Sequence, residues 1–267
     1  MPADMTALLD DLAAEHADLD SLVAGRNLDA ASAAAGWTVG DCLGHLWFFD
    51  REATTALTDP ATFADHLGEI AADPDGYMRA HLDEARALGT TLPATARATR
   101  ASLLAALTAA DPATKVPWYG PPMSPASFAT ARLMEYWAHG QDIADGLGVT
   151  RTPTRRLRHI CHLGVRTRGF SFAVRGLTVP EADVRVELTG PDGDLWTWGD
   201  AEAADRVTGA ALDFALVVTQ RRFVDDTALA VEGEPARAWM TVAQAFAGGP
   251  TTTDPDRHNL ARAEHRM

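Results

Sequence analysis

In the stretch MEYWAHGQD, Met134 to Asp142, Glu135 and His139 stand four residues apart inside an otherwise amphipathic helical pattern. Positions i and i+4 of a helix share one face a turn apart, so a carboxylate oxygen and an imidazole nitrogen can converge on one point. A divalent cation suits such a point. Zinc takes nitrogen and carboxylate ligands at roughly 2.0 to 2.2 Å, and a catalytic site keeps a fourth position open for water or substrate. Two ligands are too few, so a third must come from another helix. His45 is the best candidate, because it lies mid-helix among Leu43, Leu46 and Phe49, where an unpaired imidazole is costly to bury. The plainer alternatives stand beside this reading. Glu and His pairs at this spacing also occur on solvated helix faces, and an interior histidine is more often a hydrogen-bonded core residue than a ligand. Of the other histidines, His16, His66 and His81 read as exposed helix positions, His159 and His162 lie in a basic helix, and His258 and His265 lie in the tail.

The elements that must position these side chains are helices. Met5, Leu8, Leu9, Leu12, Leu19, Leu22 and Val23 recur at spacings of three, four and seven and predict a first helix. In GWTVGDCLGHLWFFDREATTAL, Thr38 is an N-cap with Asp41 in capping-box register, and Leu43, Leu46, Ala53 and Leu57 continue one stripe. Residues 73 to 110 read as mostly helical, with Pro93 interrupting the run or opening a second piece. VPWYGPPMSP is a rigid aromatic loop whose Trp118 and Tyr119 either wall a pocket or simply pack. Ser124 and Pro125 then start the helix that carries Glu135 and His139, which stops at Gly146 or Gly148. Four long helices by residue 148 predict a bundle with at least one long crossover.

Beyond residue 150 the texture changes. An arginine-rich helix, about 155 to 169, gives way to DVRVELTGPDGDLWTWGD, which reads as a β-hairpin. An apolar helix with Ala211, Phe214, Ala215 and Val218 follows, then a short strand in ALAVEG, then a helix EPARAWMTVAQAF closed by Gly248 and Gly249. The expected fold class is α+β: a helical bundle over 1–150, a small α+β domain over 151–250, and a loosely ordered tail over 251–267.

With 267 residues, 46% hydrophobic and 22% charged, the chain suffices for two domains with their own cores. It contains no run of eighteen apolar residues, and its acidic, helix-periodic start is unlike a signal peptide, so neither a membrane span nor secretion is expected. Cys42 and Cys161 are the two cysteines and suggest a reducing, cytoplasmic setting. A formal charge of −14 disfavours nucleic acid and anionic lipid as partners. Lys115 is the single lysine, and arginine with abundant alanine suggests a GC-rich genome. No long heptad pattern or apolar edge indicates an oligomeric state.

GWTVGDCLGHL, followed later by RLMEYWAHGQDI, resembles the paired motifs of the DinB-like metalloproteins, most closely the mycothiol-dependent maleylpyruvate isomerase family of actinobacteria. VELTGPDGDLWTWG, VVTQRR and ALAVEG resemble the C-terminal domain of the same family, so the likeness spans nearly the whole chain. It implies a DinB-like four-helix bundle holding zinc through His45, Glu135 and His139. It also implies mycothiol or a related low-molecular-weight thiol as cofactor, with its sulfur in the open metal position as a thiolate. An arginine of the C-terminal domain contributes to activity in that family, and Arg221 or Arg222 occupies the matching place; a helix C-terminus that favours positive charge is the plainer account of either. Cys42 shares the helix face of His45 and either reaches the site or fills the core. Asp142, three residues after His139, either holds the second nitrogen of that histidine or faces solvent.

The function so implied is a zinc-dependent, thiol-using isomerase or transferase. It would act on a small electrophilic, carboxylate-bearing substrate by isomerisation, conjugation or sulfur transfer. The same ligand set equally serves a hydrolase or hydratase that activates water, on a thioester for example, or a non-catalytic protein in which the metal is structural. Fe2+, Ni2+ and Mn2+ suit the donors as well as zinc does. The absence of an HExxH motif disfavours a zincin protease.

Overall fold

The computed structural model describes residues 5–247. The chain divides into two compact units, residues 1–150 and 151–267. Unit one contains α1 (Met5–Val23), α2 (Val39–Thr58), α3 (Pro60–Ala72), α4 (Pro74–Leu88), α5 (Leu92–Ala109) and α6 (Pro125–Gly146). The bundle is formed by α1, α2, α5 and α6, with α1 against α5 and α6 and α2 against the same two helices. Helices α3 and α4 occupy the crossover between α2 and α5 and pack on α2.

The starts that follow α1 in this unit have local causes. The Thr38 hydroxyl accepts from the Asp41 amide while the Asp41 carboxylate accepts from the Thr38 amide, so both halves of the capping box form. Asp59 and Asp73 cap α3 and α4 ahead of Pro60 and Pro74, and Ser124 caps α6 ahead of Pro125. Pro93 opens α5 rather than interrupting it, because a turn at Gly89 has already ended α4. Past the end of α6, the left-handed backbone falls at Gly148, with φ of 64°. Leu8, Leu12, Leu43, Leu46, Leu103, Leu107, Phe128, Leu133 and Tyr136 fill the centre.

Three histidines depart from the sequence expectation of exposure. His16 and His81 are 6% and 2% exposed, not solvated. The cause at His81 is the close approach of α4 to α2: a Cβ at Gly44 would collide with that of Ala85, so only glycine lets the helices come this near. His81 lies one turn before Ala85 and is carried in with it. His66 is half-buried, its Nδ1 2.9 Å from Glu52 Oε2.

Unit two contains α7 (Leu157–Arg166), α8 (Arg168–Ala173), β1 (Val184–Thr189), β2 (Leu195–Trp198), β3 (Asp205–Ala210), α9 (Ala211–Val218), β4 (Ala230–Glu232) and α10 (Glu234–Val242). Its sheet has the order β2-β1-β3-β4. The expected hairpin is present, with Val186 opposite Trp198. Strand β3, absent from the sequence reading, pairs parallel to β1 from Val184 opposite Asp205 onward, and β4 pairs antiparallel to β3. The basic helix is shorter than expected and breaks at Thr167. The last helix ends at Val242, because Ala243 to Ala245 leave the helical path and Ala245 donates to the Val218 carbonyl at 2.8 Å. Gly248, Gly249 and the tail lie outside the described residues. The architecture is therefore α+β, a helical unit followed by a small sheet-containing one. Among the described residues no helix is long and apolar enough to cross a membrane.

Candidate metal centre

Helix α2 supplies His45 and helix α6 supplies Glu135 and His139, and one ligand atom from each lies within 4.8 Å of the others. The two nitrogens of His139 face different ways. Nε2 is 3.6 Å from Glu135 Oε2, on the side of the cluster, while Nδ1 is 3.1 Å from Asp142 Oδ2. At that distance the pair is a charge contact and not a hydrogen bond, since Nδ1 has no hydrogen-bond partner among the described residues. Two imidazoles and a carboxylate are a donor set that suits a divalent cation.

Trp37 covers this cluster. Its ring stacks on His139 at 5.8 Å with 9° between planes and tilts against His45 at 5.1 Å. The loop that carries it is fixed to the end of α6: Ala33 donates to the Asp142 carbonyl at 2.8 Å, and Gly146 has no Cβ to push Ala31 and Ser32 away. On the other side, Phe49 lies 4.6 Å from the His45 ring. The His81 ring is 5.8 Å from His45 and stacks on Phe48 at 4.4 Å. Burial pushes His81 down to about 4, against the opposing pull of the Tyr77 backbone and Glu84, so its imidazole is neutral near pH 7. Cys42 is buried, with Sγ 3.4 Å from Ser32 Oγ; it clusters with His139 and Asp142, not with His45 and Glu135.

A buried ion pair joins the two ligand helices. Asp50 on α2 is 0% exposed and Arg132 on α6 is 3% exposed; the guanidinium donates Nε and Nη2 to Asp50 Oδ1 at 3.1 and 2.8 Å and Nη2 to the Leu46 carbonyl at 3.3 Å. Tyr136 donates its hydroxyl to Asp50 Oδ2. With the lock at positions 50 and 132 and the ligands at 45, 135 and 139, α2 and α6 cannot slide past one another without breaking it.

A second polar cluster sits on the same helix. Glu52 is 3% exposed, and its Oε2 is approached by His66 Nδ1 at 2.9 Å and by the hydroxyls of Tyr77 and Tyr119 at 3.2 Å each. Burial and the Glu52 charge push Tyr77 up to about 12 and raise Tyr119 as well, so both remain hydroxyl donors at neutral pH. The aromatic loop supplies the walls: Trp118 stacks on Phe63 at 5.5 Å, and Tyr119 meets Phe49 edge to face at 5.5 Å.

Arg221 and Arg222 belong to unit two. They follow Gln220, whose φ is 61°, in a tight turn after α9 where both backbone amides donate to the Leu216 carbonyl, at 2.8 and 3.2 Å. Their guanidinium groups donate to the carbonyls of Thr219 and Arg221, at 2.6 and 2.7 Å. Left-handed backbone at a glutamine is uncommon.

Residues 9–144 match the mycothiol maleylpyruvate isomerase N-terminal domain family. Two uncharacterized proteins of Mycobacterium tuberculosis, from strains CDC 1551 / Oshkosh and H37Rv, are each 49% identical to this chain over 255 residues, 93% of this chain and 98% of theirs. Among solved structures, the crystal structure of the mycothiol-dependent maleylpyruvate isomerase superposes with a TM-score of 0.59 over 88% of this chain and 96% of that one, and a histidine-to-alanine mutant of it with 0.58. At 13% identity that likeness is one of fold. The match over residues 9–144, most of the helical unit and half of the chain, places the chain in the mycothiol maleylpyruvate isomerase N-terminal domain family.

Proposed function

We propose that the protein is a metal-dependent, thiol-using enzyme of the isomerase or transferase type, with His45, Glu135 and His139 as the metal ligands. The observation that carries the proposal is the convergence of these three donors from two helices, with Asp142 set against the far nitrogen of His139. When bound, a divalent cation such as zinc favours the ionised form of a thiol and so keeps a nucleophile ready near pH 7.

The chain's own residues do the rest. Asp142, 3.1 Å from Nδ1, is the proposed orienting group of His139, and Trp37 and Phe49 shield the two imidazoles from bulk water. Arg221 or Arg222 is the proposed partner of a substrate carboxylate, on the chemical ground that a guanidinium fork matches a carboxylate in two-point geometry. The substrate class is a small electrophile that carries such a carboxylate, and mycothiol is the thiol that the family name supplies.

The test combines metal analysis with turnover. Purified protein is expected to contain close to one equivalent of a divalent metal and to consume maleylpyruvate only when mycothiol is added. His45→Ala and Glu135→Ala are expected to lose both metal and turnover while the far-ultraviolet dichroism stays helical. Turnover that survives either substitution refutes the proposal.

A further inference from the structure

Along α2, His45, Phe49 and Glu52 follow one another at i, i+4 and i+7, and therefore share a face. Seven residues at the helical rise set Glu52 about 10 Å from His45 along the axis. A buried carboxylate in that position is costly unless it is hydrogen-bonded or paired. All three of its hydrogen bonds fall on Oε2, from His66, Tyr77 and Tyr119, and no further hydrogen bond to Glu52 occurs among the described residues. Oε1 is left as an acceptor. Half-buried rings belong to the same cluster: Tyr77 and Tyr119 reach Glu52, and Trp118 and Tyr119 lie 6.2 and 5.5 Å from Phe49.

An acceptor carboxylate set among aromatic faces is the usual chemistry for a hydroxyl-rich, sugar-like group, which offers O–H donors at its edge and C–H faces to stack. We infer that the Glu52, Tyr77 and Tyr119 cluster is a second ligand subsite, which takes the hydroxyl-bearing end of the molecule whose reactive end lies at His45, Glu135 and His139. The inference rests on the thiol reading above and deepens it. Mycothiol has the required form, since its cysteine sulfur is joined through an amide to two linked hydroxylated rings. The subsite accounts for the order of the sequence on α2, with the ligand, an aromatic spacer and an acceptor successively on one face. It also gives the aromatic loop a role in selecting the ligand.

The test compares two thiols on zinc-loaded protein by calorimetry: mycothiol, and N-acetylcysteine, which has the sulfur but no sugar. Wild type is expected to bind mycothiol at least tenfold more tightly. Glu52→Gln and, separately, Tyr119→Ala are expected to weaken mycothiol about tenfold, as a lost hydrogen bond to a charged group does, and to leave N-acetylcysteine within twofold. Tyr119 lies in a loop, so its variant keeps the inference testable if Glu52→Gln unfolds. A cluster that serves only as a strut would lower the melting temperature and weaken both thiols alike, and that result overturns the inference. Equal binding of the two thiols by wild type overturns the subsite and leaves the thiol reading standing. Binding of neither overturns both.

Discussion

The ion pair between Asp50 and Arg132 offers a sharp test of how the two ligand helices are held. Both groups are buried, and Arg132 makes three hydrogen bonds, two of them to Asp50. Arg132→Met leaves the Asp50 carboxylate buried with Tyr136 as its remaining hydrogen-bond partner and strips the Leu46 carbonyl of a donor. Asp50→Leu leaves a guanidinium in the core with no counter-charge. Breaking a buried pair from one side costs about 3 to 5 kcal/mol, because the surviving charge is desolvated and unpaired. That is a large share of the roughly 5 to 15 kcal/mol that holds a domain together. Replacing both partners removes the buried charge as well as the attraction, so the double variant is expected to be more stable than either single one. Urea unfolding of all four proteins followed by circular dichroism gives the cycle directly. A coupling of at least 2 kcal/mol between the sites is expected. Two single costs that simply add in the double variant would refute the reasoning, since the pair would then contribute nothing as a pair.

Two further outcomes follow from the same packing. His16 is pushed down to about 3, first by burial and then by the charges of Arg100 and Arg132, so the folded state prefers it neutral. Its contribution is fully present above the unfolded value near 6.5 and is lost as pH falls from there toward 3, at about 1.4 kcal/mol per pH unit. Urea midpoints at pH 7, 5.5 and 4.5 should therefore decline less steeply in His16→Phe than in wild type; parallel declines would remove His16 as the cause. Asp142→Asn deprives His139 of its charged partner, and zinc affinity measured by chelator competition is expected to fall about 10- to 100-fold with little change in melting temperature. Unaltered affinity would reduce Asp142 to a packing residue.

What could be read from the sequence was what local chemistry decides. Thr38 with Asp41, and Ser124 with Pro125, carry their capping signals within four residues, and both helix starts are where those signals place them. The shared face of Glu135 and His139 is likewise a matter of helical period. Burial of His16 and His81 is not local: it depends on which helix lies opposite, and for His81 on the absent side chain of Gly44. Nothing in the sequence singles out Glu52, because its donors, at positions 66, 77 and 119, come from three other segments. Strand β3 is equally hidden. Its pattern is interrupted by Gly209, and its parallel partner β1 lies across an intervening strand in the sequence. The end of α10 at Val242 is set by Ala245 finding the Val218 carbonyl, which no helix-stop signal announces.

The placement of the three donors on α2 and α6 also has a consequence for synthesis. A ribosome makes His45 ninety positions before Glu135, and at about 5 to 20 residues per second the nascent chain waits roughly 5 to 20 s before a second donor exists. Helix α1 waits longer still for α6, which begins at Pro125, although its other partner α5 is made sooner. A lone histidine holds a cation weakly, so the proposed site can load only once α6 has been made and packed against α2. A cation bound there would then mark a finished helical unit.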